Sequence, residues 1–280
     1  MHTVVMDAEP VDLAGAAAIE AVEARAWRDM FEAVPAEFAS AAGVGSREVA
    51  GALVINWAAT GRRYFSRAIG LGVLEPATEA AIDDILDGFG RAGIDMFLLQ
   101  SQPHCRPGEY ERWLGDRGLE PFDAQDRIVR DGRPAAPAEA LEFAVERVTA
   151  TTADQWAGFI QRVYRLDTGA WLEALVGRPG WHHYVARDGA EIVAARSMYI
   201  GPDRMAWLGI DGPVPGVHWD RYEPDAALCT HIVEDGLARG ASGFIADIEA
   251  PSDEMDTPAY ELFARLGFSR PYVRTHWGRP

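Results

Sequence analysis

The chain lacks the features that mark disulfide-rich, metal-binding or membrane-spanning proteins. Its 280 residues contain two cysteines, Cys105 and Cys229, which lie far apart and have no Cys-x-x-Cys spacing. These thiols predict neither a disulfide framework nor a zinc site, and we interpret both as inert. No stretch approaches the ~18 uninterrupted apolar residues typical of a membrane-spanning helix. The first ten residues combine no basic segment with an apolar run, so we expect a cytoplasmic protein.

Basic residues are scarce relative to acidic ones. Lysine and arginine together number 26 against 43 aspartates and glutamates, a formal net charge of −17. This charge disfavours binding to nucleic acid or to an anionic membrane, so we predict neither partner. A neutral or cationic small molecule suits such a protein better. The histidines have no spacing typical of a metal-binding pair, so we predict no metal site.

Between residues 204 and 268 the sequence alternates between strand and helix patterns. The first helix has one broad apolar face, Asp225 as a possible N-cap and Gly240 just beyond its end. A strand, a helix, a second strand and a second helix in this order predict a parallel crossover unit. The four elements are predicted at Arg204–Ile210, Ala226–Leu237, Gly243–Ile248 and Thr257–Leu266.

The last of these helices carries a recognisable set of residues. Its small and apolar positions include Ala259, Leu262, Leu266, Gly267 and Phe268. They match, without a gap, the closing-helix pattern Asn-x-x-Ala-x-x-Leu-Tyr-x-x-Leu-Gly-Phe of the GNAT acyltransferases, which residues 141–280 therefore resemble. Two positions differ from the family pattern. Asp256 replaces the asparagine, and Phe263 replaces the tyrosine that often protonates the departing thiolate.

The stretch before the first helix departs further from the family pattern. GNAT proteins usually bind the pyrophosphate of acyl-CoA on an Arg/Gln-x-x-Gly-x-Gly/Ala turn, whose N–H groups attract an anion. Here there is no glycine between Val217 and Leu228, and Pro224 lacks an N–H. A carboxylate ~6 Å from a phosphate costs roughly 3 kcal/mol at an effective dielectric of ~20. Three carboxylates lie in this stretch, those of Asp220, Glu223 and Asp225.

The N-terminal half repeats the order of elements. After helical patterns in residues 12–42, strands are predicted at 49–57 and 64–70, a helix at Glu79–Arg91, a strand at Met96–Gln100 and a short helix at Gly108–Arg117. The repeat is one of pattern and suggests two copies of a GNAT-like half. The fold class predicted is thus mixed α/β, with a central mixed sheet flanked by helices.

A Pro- and Gly-containing segment separates the two halves. Residues 131–139 hold two prolines, a glycine and few apolar side chains, as a linker does. We therefore predict an N-terminal GNAT-like domain at 1–130 with a structural role, a linker at 131–140, and a C-terminal GNAT-like domain at 141–280. The predicted site lies in the C-terminal domain.

The resemblance also places candidate catalytic residues. In GNAT proteins the amine meets the thioester where two central parallel strands part, and an acidic or histidine side chain there removes a proton. The carboxyl ends of the corresponding strands carry Asp211, Asp247 and Glu249. We predict Glu249 and Asp211 as candidate bases and Asp247 as a substrate contact. The alternative is that these carboxylates only cap loops.

Other candidates lie in the loop and in the closing helix. His218 is a candidate general base or acid, and Tyr260 is a candidate proton donor in place of Phe263. Each has a simpler interpretation, as an exposed loop histidine and as a packing residue. Trp207 and Trp219 are predicted either to wall a substrate pocket or to pack in the core. The predicted cofactor contacts are Ile210, Arg221, Tyr222 and Asp225.

Two functions follow from these residues. The first is transfer of an acyl group from acetyl-CoA or another acyl-CoA to an amine of a small molecule. The second is reuse of the GNAT fold for a CoA-independent reaction or ligand binding in specialised metabolism, because the pyrophosphate turn and the tyrosine are missing. A non-catalytic interaction module is a third reading. The sequence is compatible with a homodimer.

Overall fold

The chain folds into two compact units. The computed structural model describes residues 6, 9–134, 143–213, 223–249 and 258–280. The N-terminal unit consists of Ala8–Arg127 together with Pro271–Pro280, and the C-terminal unit of Met1–Asp7 together with Ile128–Arg270. The predicted linker at 131–140 lies largely outside the described residues, so that domain boundary stays a prediction.

The elements alternate between helices and strands along most of the chain. The helices are α1 (Leu13–Glu32), α2 (Ala36–Ala42), α3 (Glu79–Arg91), α4 (Tyr110–Asp116), α5 (Ala153–Tyr164), α6 (Trp171–Leu175), α7 (Glu223–Ala238) and α8 (Pro258–Arg265). The strands are β1 (Val44–Val49), β2 (Ala52–Trp57), β3 (Arg67–Ile69), β4 (Leu99–Ser101), β5 (Glu120–Asp131), β6 (Ala144–Arg147), β7 (Trp181–Asp188), β8 (Glu191–Ile200), β9 (Met205–Pro213), β10 (Gly243–Glu249) and β11 (Ser269–Gly278).

The described strands form two sheets. One has the order β1-β2-β3, and the other has the order β4-β11-β5-β10-β9-β8-β7-β6. Antiparallel pairs, such as β7 with β8, occur beside the parallel pair β9–β10. The prediction of a mixed α/β fold with a large mixed sheet and flanking helices is therefore confirmed.

In the N-terminal unit, α1 begins where Asp12 accepts a hydrogen bond from the Gly15 N–H at 2.8 Å. The helix buries one apolar face that includes Val22, Trp27 and Met30. An isolated parallel bridge joins Arg67 on β3 to Leu98, the residue before β4. β4 also pairs with β11, the last strand of the chain.

In the C-terminal unit, β6, β7, β8 and β9 form an antiparallel meander, and α7 then leads to β10, which lies parallel to β9. α8 follows β10. The core of this unit is apolar and includes Met198, Leu208, Leu228, Ile232, Phe244 and Phe263. Both units thus have the same order: antiparallel strands, a helix, a parallel strand and a helix. This is the predicted tandem arrangement.

Two local predictions were wrong. The strand predicted at 49–57 is in fact a hairpin, in which Ala50 and Gly51 form the turn with positive φ angles of 46° and 71°. The sequence pattern hid this turn because apolar residues continue through it. The strand β5 was not predicted at all, because its first half is exposed and polar, without the apolar alternation that predicts a strand.

Candidate functional site

The central feature of the C-terminal unit is that β9 and β10 part. In the described residues the two strands pair at Met205–Gly243, Ala206–Phe244 and Trp207–Ile245, and at no later position. Yet β9 continues to Pro213 and β10 to Glu249. Beyond Trp207 and Ile245 the two strands are therefore not paired with each other at the carboxyl ends of parallel strands, where ligands commonly bind.

A β-bulge shapes β9 beside this opening. The β8–β9 register passes from Ser197–Gly209 to Ala195–Gly212, so β9 contains one residue more than β8 between these pairs. Ile210, in the bulge, has a φ of 47°. A β-branched residue is strained in this left-handed region, and such strain concentrates at functional sites. The hydroxyl of Tyr164 on α5 supports the bulge by donating to the Asp211 carbonyl oxygen at 2.7 Å.

Arg196 connects three elements at the bulge. It lies on β8 between the two paired positions, and its side chain is 7% exposed. Its Nη2 lies 2.8 Å from Asp211 Oδ2, on the bulge, and 3.2 Å from Asp225 Oδ2, in the first turn of α7. Its guanidinium also lies over the Phe263 ring at 5.4 Å from the ring centre. One cation thus joins β8, β9, α7 and α8.

Burial and the neighbouring charges have opposite effects on the pKa values of Arg196 and Asp225. Burial alone would lower the pKa of Arg196, but the carboxylates of Asp211 and Asp225 outweigh it and raise that pKa well above its usual range. Burial raises the pKa of the Asp225 carboxyl, although Arg196 acts in the opposite direction. Arg196 remains charged under all ordinary conditions and holds Asp211 and Asp225 in place.

The structure corrects the interpretation of Asp225. The sequence suggested an N-cap whose charge would face a phosphate, but α7 already begins at Glu223 and the Asp225 residue is only 6% exposed. Its carboxylate points to Arg196, which offsets its charge. The sequence could not indicate this pairing because the two residues are 29 positions apart. Whether Asp225 contacts a cofactor stays a prediction.

Trp207 marks the position where the strands part. It is the last residue of β9 paired with β10, and it is 4% exposed. Its ring lies in a T-shaped arrangement with that of Trp181 at 6.2 Å. Next to it, a Cβ atom on Gly209 would come within 2.2 Å of the Trp207 ring. Trp207 therefore packs as a core residue at the base of the opening, and its predicted substrate contact remains untested.

Two aromatic residues of α8 occupy the core. Phe263 is fully buried and packs edge-on against Phe268 at 5.0 Å. Tyr260 is 4% exposed, and its hydroxyl accepts a hydrogen bond from the Met6 N–H at 3.2 Å. The burial of Tyr260 and its hydrogen bond to Met6 fit the interpretation of this residue as a packing residue. Its role as a proton donor stays a prediction.

The remaining predicted residues divide into two groups. Glu249 ends β10 and is exposed, while Asp247 is half-buried on the same strand. Glu249 therefore meets solvent at the carboxyl end of the sheet, where a base is expected. The other predictions lie outside the described residues: His218, Trp219, Arg221 and Tyr222.

Sequence reasoning missed Arg196. It brings together Asp211 and Asp225, which had been assigned separate roles. One signal was available: Arg196 is the only charged residue in the otherwise apolar or neutral stretch Ile192–Ile200. A charged residue within a buried strand is almost always paired, so it predicts an acidic partner without naming it.

In the N-terminal unit, the loops that follow the corresponding strands are joined to each other. Here an isolated bridge joins Arg67 of β3 to Leu98 before β4, and the loops that follow the two strands are joined by hydrogen bonds. The Arg106 N–H donates to the Gly72 carbonyl oxygen, and the Ala77 N–H donates to the Arg106 carbonyl oxygen, both at 2.8 Å. The Arg106 guanidinium adds a bond to the Val73 carbonyl oxygen at 3.0 Å. These bonds join the two loops that follow β3 and β4.

The described residues form neither a metal-binding cluster nor a membrane-spanning helix. In the described ranges, no group of three or more histidine, cysteine, aspartate or glutamate side chains is placed to hold a metal ion. None of the described helices combines the length and the apolar character needed to cross a bilayer.

Comparison with known proteins shows the fold. No family model matches the sequence, and no curated protein matches it. Among solved structures, a GCN5-related N-acetyltransferase from Kribbella flavida is 14% identical, with 94% of this chain and 95% of that chain covered and a TM-score of 0.62. A GCN5-related N-acetyltransferase from Sphaerobacter thermophilus is 15% identical, with 82% and 81% covered and a TM-score of 0.55.

A third similar structure is a functionally unknown conserved protein from Staphylococcus epidermidis. It is 8% identical, with 84% of this chain and 94% of that chain covered and a TM-score of 0.52. The chain therefore has the GNAT acetyltransferase fold over nearly its whole length. At this identity the likeness shows the fold alone, so the reaction must be argued from the site.

Proposed function

We propose that the protein is an N-acyltransferase that moves an acyl group from acyl-CoA to an amine of a small molecule, at the opening between β9 and β10. The observation that carries this proposal is the parting of these strands after Trp207 and Ile245, beside the bulge at Ile210. The unpaired edge of β9 offers alternating N–H and C=O groups, which fit the two amides of a pantetheine arm.

The residues at the start of α7 do not fit the whole of an acyl-CoA molecule. The described first turn contains Glu223, Pro224 and Asp225. Pro224 has no N–H to donate, and the Asp225 carboxylate is already bound to Arg196. This turn therefore provides no phosphate cradle. The pantetheine arm fits the described residues, and the pyrophosphate does not.

The proposed reaction is direct attack of the substrate amine on the thioester carbonyl, with no covalent enzyme intermediate. Acyl-CoA supplies the activated acyl group. Glu249 is the favoured base, because it is exposed at the end of β10 and free to accept a proton from the attacking amine. Asp211 is the second candidate, although its carboxylate is already paired with Arg196. A proton passes to the departing thiolate from solvent or from Tyr260.

The first experiment is binding and turnover with acetyl-CoA and longer acyl-CoAs. We expect heat of binding in calorimetry, a higher Tm, and release of free thiol when a panel of small amines is added. The chain contains no lysine, so acylation of its own side-chain amines gives no background in product mass spectrometry. The absence of both heat and a Tm shift at millimolar ligand would overturn the proposal.

The second experiment tests the base. We expect Glu249→Gln to lower kcat by roughly 10²–10⁴-fold without a loss of folding, because general base catalysis contributes about that much. The matched control is Asp188→Asn, which neutralises an exposed carboxylate at the end of β7 and should leave kcat unchanged. If Glu249→Gln keeps full activity and Asp211→Asn loses it, then Asp211 is the base.

A second function, CoA-independent catalysis or ligand binding on the same fold, is favoured by one observation. It is the acidic, proline-containing first turn of α7 described above. This function predicts that small amines or metabolites raise the Tm while CoA does not. A crystal soaked with CoA that shows ordered pyrophosphate at Glu223–Asp225 would exclude it.

A further inference from the structure

The side chain of Trp207 fills one face of the sheet at the narrow end of the opening between β9 and β10. Trp207 is the last residue of β9 that pairs with β10 in the described residues, and its ring extends along the strand over Gly209. Three atoms of its six-membered ring lie 2.2, 2.3 and 2.9 Å from the position that a Cβ atom on Gly209 would take. The ring therefore occupies this face of β9 beyond the last pair of the two strands.

Aromatic neighbours hold this ring in place. Tyr199 on β8 is the cross-strand partner of Trp207, and Trp181 on β7 is the partner of Tyr199. The Trp181 ring centre lies 6.2 Å from that of Trp207, in a T-shaped arrangement, and 5.1 Å from that of Tyr199. Trp207 is 4% exposed. A ring packed in this way cannot swing aside without displacing its neighbours, because protein interiors contain few voids.

The opposite face of the two strands is closed as well. Successive side chains of a strand alternate between its faces, so Leu208 on β9 and Ala246 and Ile248 on β10 lie opposite to Trp207 and its partner Ile245. All three are buried in the apolar core that includes residues of α7. An acyl chain at the narrow end of the opening is therefore enclosed by the Trp207 ring on one face and by the core on the other.

The shape of the opening gives the direction of an acyl-CoA bound in it. β9 and β10 pair at their amino ends and part toward their carboxyl ends, so a long thin ligand enters from the carboxyl ends. The pantetheine arm carries the acyl group at its tip, so the acyl group lies deepest, next to Trp207 and Gly209. A long acyl chain has no room there, whereas an acetyl group adds only a methyl beyond the thioester carbonyl.

We infer that Trp207 restricts the acyl donor to short chains, with acetyl-CoA and propionyl-CoA accepted and hexanoyl-CoA excluded. This inference rests on the proposed function, because it concerns the donor of that reaction. An apolar pocket distinguishes substrates that differ by one methylene by roughly 10–200-fold. Hexanoyl-CoA is longer than acetyl-CoA by several methylenes, so the exclusion produces a difference that is easily measured. Trp207 acts through its size and takes no part in proton transfer.

The first test is calorimetry of the full chain with acetyl-CoA, propionyl-CoA and hexanoyl-CoA, which requires no amine acceptor. We expect hexanoyl-CoA to bind the wild-type protein at least ~10-fold more weakly than acetyl-CoA does. Equal or tighter binding of hexanoyl-CoA would overturn this inference and leave the proposed function intact. The absence of binding by all three donors would overturn the proposed function, and this inference with it.

The second test replaces the ring. Trp207→Leu keeps an apolar side chain but removes the indole that covers Gly209, so the affinity for hexanoyl-CoA relative to acetyl-CoA should rise ~10-fold or more. Trp57→Leu is the matched control, because Trp57 on β2 in the N-terminal unit is also 4% exposed. The control should lose stability and keep the wild-type ratio. A general loss of folded protein lowers both affinities alike, so the ratio separates specificity from stability.

The variants also decide whether Trp207 is the residue responsible. A wild-type ratio in folded Trp207→Leu would show that another residue limits the chain length and would overturn the assignment. A ratio that changes equally in Trp57→Leu would overturn it too, because the effect would then be unspecific. If Trp207→Leu does not fold, Trp207→Phe takes its place. Its smaller ring should also raise the relative affinity for hexanoyl-CoA, and an unchanged ratio would contradict the inference.

Discussion

At the scale of single residues, Arg196 has the largest structural consequence in the C-terminal unit. It neutralises Asp225 in the interior, where Arg196 and Asp225 side chains are 7% and 9% exposed, and it fixes Asp211 at the bulge. Replacement of a buried ion pair as a whole is often tolerated, whereas removal of one partner leaves an uncompensated buried charge. Loss of stability on removing one partner, with recovery when both partners are replaced, is therefore expected of a buried pair and not of a surface pair.

We expect Arg196→Met to lower the free energy of unfolding by about 3–5 kcal/mol, because Asp225 then stays buried without its partner. Urea unfolding at neutral pH measures the change. Arg112→Met is the control, since Arg112 forms an exposed pair with Asp116 whose loss costs about 0.5 kcal/mol or less.

The double variant Arg196→Met/Asp225→Asn tests the cause. It should be more stable than Arg196→Met alone, with a coupling of about 1–3 kcal/mol, because the neutral amide needs no cation. Additive losses would show that Arg196 contributes through packing alone.

A second residue-scale prediction concerns His183. It is 2% exposed, its ring centre lies 4.1 Å from that of Trp156, and its Nδ1 shares a hydrogen bond of 2.8 Å with Ser197 Oγ. Burial lowers its pKa to about 3. The folded state therefore binds fewer protons than the unfolded state, whose histidine pKa is ~6.5. The stability that neutral His183 contributes is present above pH ~6.5 and is lost as the pH falls from there towards 3.

We expect His183→Gln to reduce the loss of stability between pH 7.5 and pH 5.0 by about 2 kcal/mol, because that proton uptake no longer occurs on unfolding. Urea unfolding at the two pH values is the measurement. Ser197→Ala should lower stability about equally at both pH values and so serves as the control. An unchanged pH dependence in His183→Gln would refute the assignment.

At the scale of elements, the bulge in β9 and its neighbouring Gly209 lie beside the position where β9 and β10 part. The sequence predicted β9, α7, β10 and α8 to within a few residues, because apolar periodicity and Gly240 and Gly267 are local signals. The bulge was not predicted. It arises from the β8–β9 register, which depends on residues of two strands, and Ile210 carries no local preference for a positive φ.

Gly209→Ala tests this element. The added Cβ would lie 2.2 Å from the Trp207 ring, so the ring or the strand must shift. We expect a loss of about 1–3 kcal/mol in urea unfolding and a changed tryptophan emission. The control is Gly90→Ala on α3, where no atom lies within 4 Å of the new Cβ, and where alanine should stabilise the helix by up to ~1 kcal/mol. Equal stability of Gly209→Ala and wild type would contradict the close contact.

At the scale of the whole molecule, two units of the same element order differ at their openings. In the N-terminal unit the hydrogen bonds of Arg106 with Gly72, Val73 and Ala77 join the two loops, whereas in the described residues of the C-terminal unit β9 and β10 do not pair with each other beyond Trp207 and Ile245. The prediction of a structural N-terminal half agrees with these bonds but remains untested.

We therefore expect one acyl-CoA per chain. Calorimetry should give a stoichiometry near one, and Arg106→Ala should leave that number unchanged, because the two backbone hydrogen bonds at Arg106 persist. A stoichiometry of two would show that the N-terminal opening also binds the ligand. Failure of any binding would instead contradict the proposed function itself.

The sequence by itself determined the order of helices and strands, the pattern of the closing helix and hence the fold class, because these depend on residues close together in the chain. Only the tertiary structure decided where β9 and β10 part, that Arg196 neutralises Asp225, and that five charges are buried together on α1, β3, β5 and β11. Glu23 and Arg274 are 251 positions apart. The energy of such pairs depends on distance and burial in space, which no local pattern of residues specifies.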